Sequence, residues 1–285
     1  MTRLLHIAEG ASAGLLFGTA SIFIRLLPRL DAFSLGFARL LLAALMMLAF
    51  VTVLRRGELA QTTRKLGRRL LILGFFLGLH FVFFITAVKT TSIVNATTLV
   101  NTTPAMTLTI SWMLGMVRPS KTNLIGLVLT LVGIASMSVA EYSISPANIT
   151  GDAAALAGAF SWATYLTVGR DVRERANPIT VMPYIYLISA SILAASGYLF
   201  NGRLLIPDVS EVGPVLAVAF FPTVLGHTLQ FSSLRGLRAF ETSTLALLEP
   251  IVASVLAFLI FSEAPAAGFY LSAAIILAGI YLVLK

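Results

Sequence analysis

Residues 69–88, RLLILGFFLGLHFVFFITAV, run for twenty positions with no formal charge after Arg69, and only His80 and Thr86 relieve the aliphatic and aromatic side chains. At a 1.5 Å rise per residue, about twenty apolar residues cross the hydrocarbon core of a bilayer. A soluble protein could bury one such helix. It could not bury many, and this chain repeats the pattern along its whole length. Ten apolar runs are read at 8–27, 32–54, 69–88, 92–116, 121–140, 151–169, 178–200, 212–232, 239–261 and 266–284. The joints between them carry turn or cap signals: Pro28 and Asp31, Pro119, Ser145-Pro146-Ala147-Asn148, Asn177-Pro178, Asn201-Gly202 and Pro265. Between spans three and four, and eight and nine, the break must be inferred from Lys89–Ser92 and Arg235–Arg238.

Composition agrees. Hydrophobic residues form 58% of the 285-residue chain and charged residues 11%, against about 25% charged in soluble domains. Mean hydropathy is +0.94. The expected fold class is an all-α polytopic membrane protein of ten transmembrane helices. With no cysteine, disulfides, thiolate metal sites and cysteine nucleophiles are excluded together. The net charge of +8 comes from Lys and Arg in short gaps between apolar runs rather than from a basic arm, so no nucleic-acid partner is expected.

The charges also set an orientation. With the N-terminus inside, fifteen of the twenty Lys and Arg residues fall in inner segments and four in outer ones, while Arg39 lies within a span. The bias predicts that both termini are cytoplasmic. The first apolar run is too long for the core of a secretory signal and is expected to be retained.

The chain also matches itself. Shifted by 146 residues, Thr98-Leu99 meets Thr244-Leu245, Pro104 meets Pro250, Pro119 meets Pro265, and Gly133-Ile134 meets Gly279-Ile280. A shift of 140 pairs Gly18 with Gly158 and Ser21 with Ser161. This predicts two five-helix repeats, residues 1–142 and 143–285. Because five is odd, the second copy enters from the opposite side, the inverted arrangement of many secondary transporters. The plainer alternative is a duplication that merely enlarged a bundle.

Several motifs carry a family resemblance. Ala38-Arg39-Leu40-Leu41-Leu42-Ala43-Ala44-Leu45 resembles the second-span signature of the EamA-type drug/metabolite transporters. Leu248-Glu249-Pro250, followed by Ile251–Phe261 and Ser262-Glu263, is similar to their ninth span and its closing Glu, and Gly126 to Ile134 and Leu271 to Ile280 to their fifth and tenth spans. The resemblance covers nearly the whole chain. It departs after span four, where Val117 stands in place of a Glu. It implies a ten-helix carrier of the bacterial inner membrane that exports amino acids or other metabolites, with a central cavity lined by spans one, three, four, six, eight and nine. Within the family the chain looks similar to aromatic and neutral amino-acid exporters. A nucleotide-sugar or drug-cation carrier of the same fold is the alternative, and an intramembrane lipid-modifying enzyme using His80 and Glu249 is the reading from another class.

Polar side chains at membrane depth name the candidate site, the ionisable ones first, since each of those costs about 2.5–3.5 kcal/mol to insert unless it meets a partner or a cavity. Arg39 can hold a substrate carboxylate or gate against an acidic partner; it can equally bond helix carbonyls. Glu249, directly before Pro250, can take and release a proton for coupled transport or can brace a bend. His80 and Phe84 share a stripe on span three, and His227 with Gln230 form a similar pair on span eight. On span four, Asn95, Thr98 and Thr102 share a face, with Asn101 beside them, offering neutral hydrogen bonds to a zwitterion. Trp162 and Tyr165 on span six would wall a cavity able to stack on an aromatic solute. Phe17 on span one is noted with Phe84 among nineteen phenylalanines. Gly10, Gly14 and Gly18, and Gly74 with Gly78, permit close helix contact. No metal-binding, nucleotide-binding or protease signature appears, so the expectation is a carrier without cofactor, not an enzyme.

Overall fold

The computed structural model describes residues 2–54, 56–90, 96, 99–141, 149–262 and 268–285, and among these the regular structure is helical. In chain order the elements are α1 (Arg3–Arg25), α2 (Ala32–Leu54), α3 (Arg56–Thr90), α4 (Thr103–Met113), α5 (Lys121–Glu141), α6 (Ile149–Arg175) and α7 (Pro178–Asn201). They continue with α8 (Val212–Val218), a π-helical stretch (Ala219–His227), α9 (Thr228–Ser233), α10 (Ala239–Leu245), α11 (Leu248–Phe261) and α12 (Phe269–Leu284). Among the described residues six helical stretches are long and apolar enough to cross a membrane: Arg3–Arg25, Ala32–Val53, Arg64–Ala87, Pro178–Asn201, Val209–Ser233 and Ala239–Phe261. Lys121–Met137 and Phe269–Leu284 are shorter apolar helices.

Several joints form as their residues dictate. Asp31 caps α2, its Oδ1 accepting from the backbone N–H of Phe33 at 3.0 Å and of Ser34 at 3.1 Å. Asn177 caps α7 through Ile179 N at 3.0 Å, with Pro178 in the first turn, where a missing N–H costs nothing. Gly202 ends α7 at φ 68°, a left-handed conformation that suits glycine.

The structure extends or divides other spans. Helix α3 begins at Arg56, not at the expected residue 69, so a basic helical segment precedes its apolar part. Span eight is not one α-helix: it passes through the π-helical stretch around Pro222. Span nine is interrupted at residues 246–247, between α10 and α11. Before α4, residues 101–102 likewise form a turn. The start of span four at 92–95, 97 and 98, the 145–148 turn, Glu263 and Pro265 lie outside the described residues.

Small residues set the close contacts. Helix α1 packs against the interrupted ninth span, and a Cβ on Gly18 would lie 2.5 Å from Val252 Cβ and 3.0 Å from Glu249 O. Gly74 and Gly78 seat Ile188 and Ile192 of α7. Helices α5 and α12 approach backbone to backbone, each of Gly126 and Gly279 standing where a Cβ would come 2.7 Å from the other's carbonyl oxygen. Asn123 Nδ2 donates to Val283 O across the same seam at 2.8 Å. Gly18→Val is expected to destabilise the detergent-solubilised protein by about 2 kcal/mol through overpacking. Gly67→Ala, where an added Cβ meets nothing within 4 Å, should leave the thermal midpoint unchanged or slightly higher.

Helix neighbours are α1 with the π-helical stretch, α9, α10 and α11, α2 with α7, α3 with α6 and α7, α4 with α6 and α10, and α5 with α12. The main core gathers Leu40, Leu70, Leu73, Leu77, Ile185 and Tyr186, among others, from α2, α3 and α7, and extends to Phe17 and Trp162.

Candidate functional site

The site grows from a proline. Pro222 has no N–H to give the carbonyl of Val218, and the hydroxyl of Thr223 bonds that carbonyl at 2.8 Å. The helix widens to π geometry here, and the Thr223 carbonyl accepts from the buried Tyr186 hydroxyl of α7 at 2.8 Å. Thr223 is fully buried. Its Oγ1 accepts from Nε of Arg39, at 2.5 Å, which fixes a guanidinium that is itself only 8% exposed. The Arg39 guanidinium carbon lies 5.1 Å from the centre of the Phe81 ring, a cation–π contact that supports the charge away from water. Arg39 is therefore neither bonded only to its own helix nor turned outward.

Around Phe81 six rings interlock. His80 lies 4.8 Å from Trp162, 5.3 Å from Phe81 and 6.0 Å from Phe84, nearly parallel to the last at 7°. His227 lies 4.7 Å from Phe17 and 6.0 Å from Phe81. Trp162 closes the ring set, 6.2 Å from Phe17 and 6.5 Å from His227. Four spans contribute: α1, α3, α6 and the π-helical stretch. Gly158 permits the α3–α6 approach, and its carbonyl accepts from His80 Nδ1 at 3.0 Å. Because a carbonyl only accepts, Nδ1 carries the proton, and Nε2 of the neutral ring is left as an acceptor.

Two polar atoms in this assembly are buried without a partner among the described residues: Trp162 Nε1 and His227 Nδ1. Both amide atoms of Gln230, one turn after His227, are in the same condition. Each unpaired buried group costs about 1–3 kcal/mol, so these positions call for a physical explanation.

The remaining sequence candidates divide. Glu249 sits in the first turn of α11, after the break; the Ala246 carbonyl that Pro250 leaves without its helical donor accepts from Glu249 N at 2.9 Å. Tyr165 does not join Trp162 in the ring set. It is buried against Phe231, 6.1 Å between ring centres, with its hydroxyl 3.7 Å from Met182 Sδ, so it packs α6 to α7 and α9. Thr102 Oγ1 bonds Leu99 O at 2.6 Å, satisfying its own turn. Asn101 is half-buried in that turn. Asn95 and Thr98 lie outside the described residues. Thr223, Tyr186 and Phe81 were not singled out from sequence. The signal available for Thr223 was its place directly after Pro222.

A second polar cluster occupies the end of the bundle that carries most of the basic residues. Arg3 Nη2 bonds Glu241 Oε1 and Leu284 O, at 2.8 and 2.6 Å, and Arg238 bonds the same carboxylate at 2.9 Å. Glu9 joins His6 and Ser232, each at 2.8 Å. Nη2 of Arg173 reaches Ser232 Oγ at 3.4 Å, and burial together with neighbouring Arg235 holds Arg173 below its ordinary pKa, with Glu9 opposing. These contacts tie α1, α6, α9, α10 and α12 at that end.

The sequence profile of the EamA-like transporter family matches residues 7–139 and again 149–285. The chain belongs to the EamA-like transporter family. It is a multi-pass membrane transporter. A relative from Archaeoglobus fulgidus, named an uncharacterized transporter, is 27% identical over 94% of this chain and 93% of its own length. A probable amino-acid metabolite efflux pump from Salmonella typhimurium is 23% identical over 58% of each chain. One solved crystal structure superposes with a TM-score of 0.84 at 20% identity, covering 99% of this chain and 96% of that one, and so shares the fold.

Proposed function

We propose that this EamA-like transporter is a secondary carrier that exports small metabolites, chiefly amino acids with aromatic or neutral side chains, across the bacterial inner membrane. Transport proceeds by alternating access between two inverted five-helix repeats, residues 1–142 and 143–285, built from ten spans with both termini cytoplasmic. The neighbour pairs support that symmetry. Exchanging the first five spans for the last five maps the pairs α2–α7 and α5–α12 onto themselves and carries α3–α6 into span eight against α1. The turns at 101–102 and 246–247, each followed by a proline, Pro104 and Pro250, fit the same exchange.

The observation that carries the substrate reading is the ring set with its unpartnered Trp162 Nε1 and His227 Nδ1, set beside a fixed Arg39. A zwitterion with a flat side chain answers these elements: its carboxylate pairs with the guanidinium and accepts from Trp162 Nε1, its ammonium donates to a neutral imidazole at His227 Nδ1 or His80 Nε2, and its side chain stacks among Phe17, Phe84 and Trp162. Gln230, Asn101 and Thr102, with Asn95 and Thr98, complete the solute path in this reading. Glu249, an ionisable group at membrane depth directly before Pro250, serves as the proton carrier in this reading. The Salmonella efflux pump is in keeping with such a solute.

Counterflow in proteoliposomes tests this. Labelled phenylalanine, tryptophan and leucine are expected to exchange saturably and without chemical change, while lysine and glutamate exchange poorly. A chemically modified product, or no exchange of any amino acid while sugars or organic cations exchange, overturns the proposal.

A further inference from the structure

The segment of α3 that precedes its apolar part is helical from Arg56, and it stands beside the turn between α6 and α7. Between them lies a cleft of about 490 Å³ lined by Lys65, Arg69 and Arg175, with Thr62, Asn177 and Thr180 as neutral polar groups and Glu58 as its acidic one. Asp171 forms ion pairs with both arginines, 3.2 Å from Arg69 and 2.9 Å from Arg175, so one carboxylate is shared by two guanidinium groups. Arg64, Lys65 and Arg68 are exposed and have no acidic partner among the described residues. Of these three only Lys65 lines the cleft, and with Arg69 and Arg175 against Glu58 and the shared Asp171 it leaves an excess of positive charge in a concave polar setting.

Its position adds a second requirement. Lys65, Arg69 and Ile72 follow one another at helical spacing, with Arg68 and Phe75 alongside. Ile72, Phe75 and the adjacent Leu71 are 36%, 48% and 59% exposed, the apolar surface that a membrane helix gives to lipid. A ligand that satisfies both parts bears an anionic phosphate next to hydrocarbon chains. Free phosphate satisfies only the cleft.

We propose that this cleft binds the headgroup of an anionic phospholipid, its phosphate held by Lys65, Arg69 and Arg175 and its acyl chains lying along Leu71, Ile72 and Phe75. Bound there, the lipid bridges the start of α3 to the α6–α7 turn, two regions that the Asp171–Arg69 pair also links at this end. The site lies apart from the ring set around Trp162 and does not depend on the identity of the transported solute.

Native mass spectrometry of the detergent-solubilised full chain tests the proposal with phosphatidylglycerol, phosphatidylcholine and inorganic phosphate as separate probes. Phosphatidylglycerol is expected to bind and to raise the thermal midpoint, whereas phosphatidylcholine does neither. Lys65→Gln with Arg175→Gln should weaken phosphatidylglycerol on the order of tenfold or more, given the attraction typical of each basic residue near anionic lipid. A control pair at the same end, Arg118→Gln with Lys121→Gln, should leave binding unchanged. Equal weakening by both pairs, equal binding of both lipids, or binding of inorganic phosphate in place of the lipid would overturn it.

Discussion

Arg39→Gln is expected to lower amino-acid counterflow about a hundredfold while the protein still folds. A charge-assisted hydrogen bond to a carboxylate contributes about 1.5–3 kcal/mol, and each 1.4 kcal/mol is a factor of ten. Glutamine keeps a donor near Thr223 but loses both the charge over Phe81 and the planar fork. Arg39→Lys separates the roles of charge and shape: it keeps the charge and loses the Nε contact, so activity should fall between wild type and Arg39→Gln. A purely structural arginine would give another pattern. Both variants would then lose thermal stability together, and flux per folded molecule would stay near wild type.

Glu249→Gln is expected to divide transport into two parts. Export driven by a pH gradient should drop at least tenfold, while exchange without a gradient persists within about twofold, because an amide keeps the shape and polarity but carries no titratable proton. The measurement is paired flux in the same proteoliposomes, with and without the gradient. Loss of both by the same factor would assign Glu249 to the first turn of α11 as a brace for the break at 246–247, where a carboxylate at a helix N-terminus is electrostatically favourable.

What could be read from the sequence follows from the range of the forces involved. Apolar runs report burial in lipid directly, so the hydrophobic parts of the spans stood out. Local chemistry marked Asp31, Asn177 and Gly202 as helix boundaries, and all three act as such. The early start of α3 was missed because residues 56–68 lack an apolar run, although Glu58, Leu59, Lys65 and Leu66 are good helix formers. Within the site, ionisable and large amphipathic groups at membrane depth were conspicuous. Arg39, His80, Phe84, Trp162 and His227 accordingly meet in space. Thr223 and Tyr186 were not conspicuous, because a threonine or tyrosine gains its role only from what another helix brings to it. Tyr165 shows the converse. Its spacing from Trp162 placed both on one stripe, but α7 and α9 cover the lower part of that stripe and take the tyrosine into the core.

The glycine-lined face of α1 has a consequence for biogenesis. Its cover comes from α10 and α11, and Arg3 finds Glu241 across 238 positions of chain. Contacts so distant in sequence cannot form until the ribosome has passed residue 241, and closure of so long a loop slows assembly. Helix α1, translated well over two hundred residues before α10 and α11, is thus seated on them late, and chains that stop before residue 239 would leave its glycine face uncovered on that side, a ready substrate for membrane quality control.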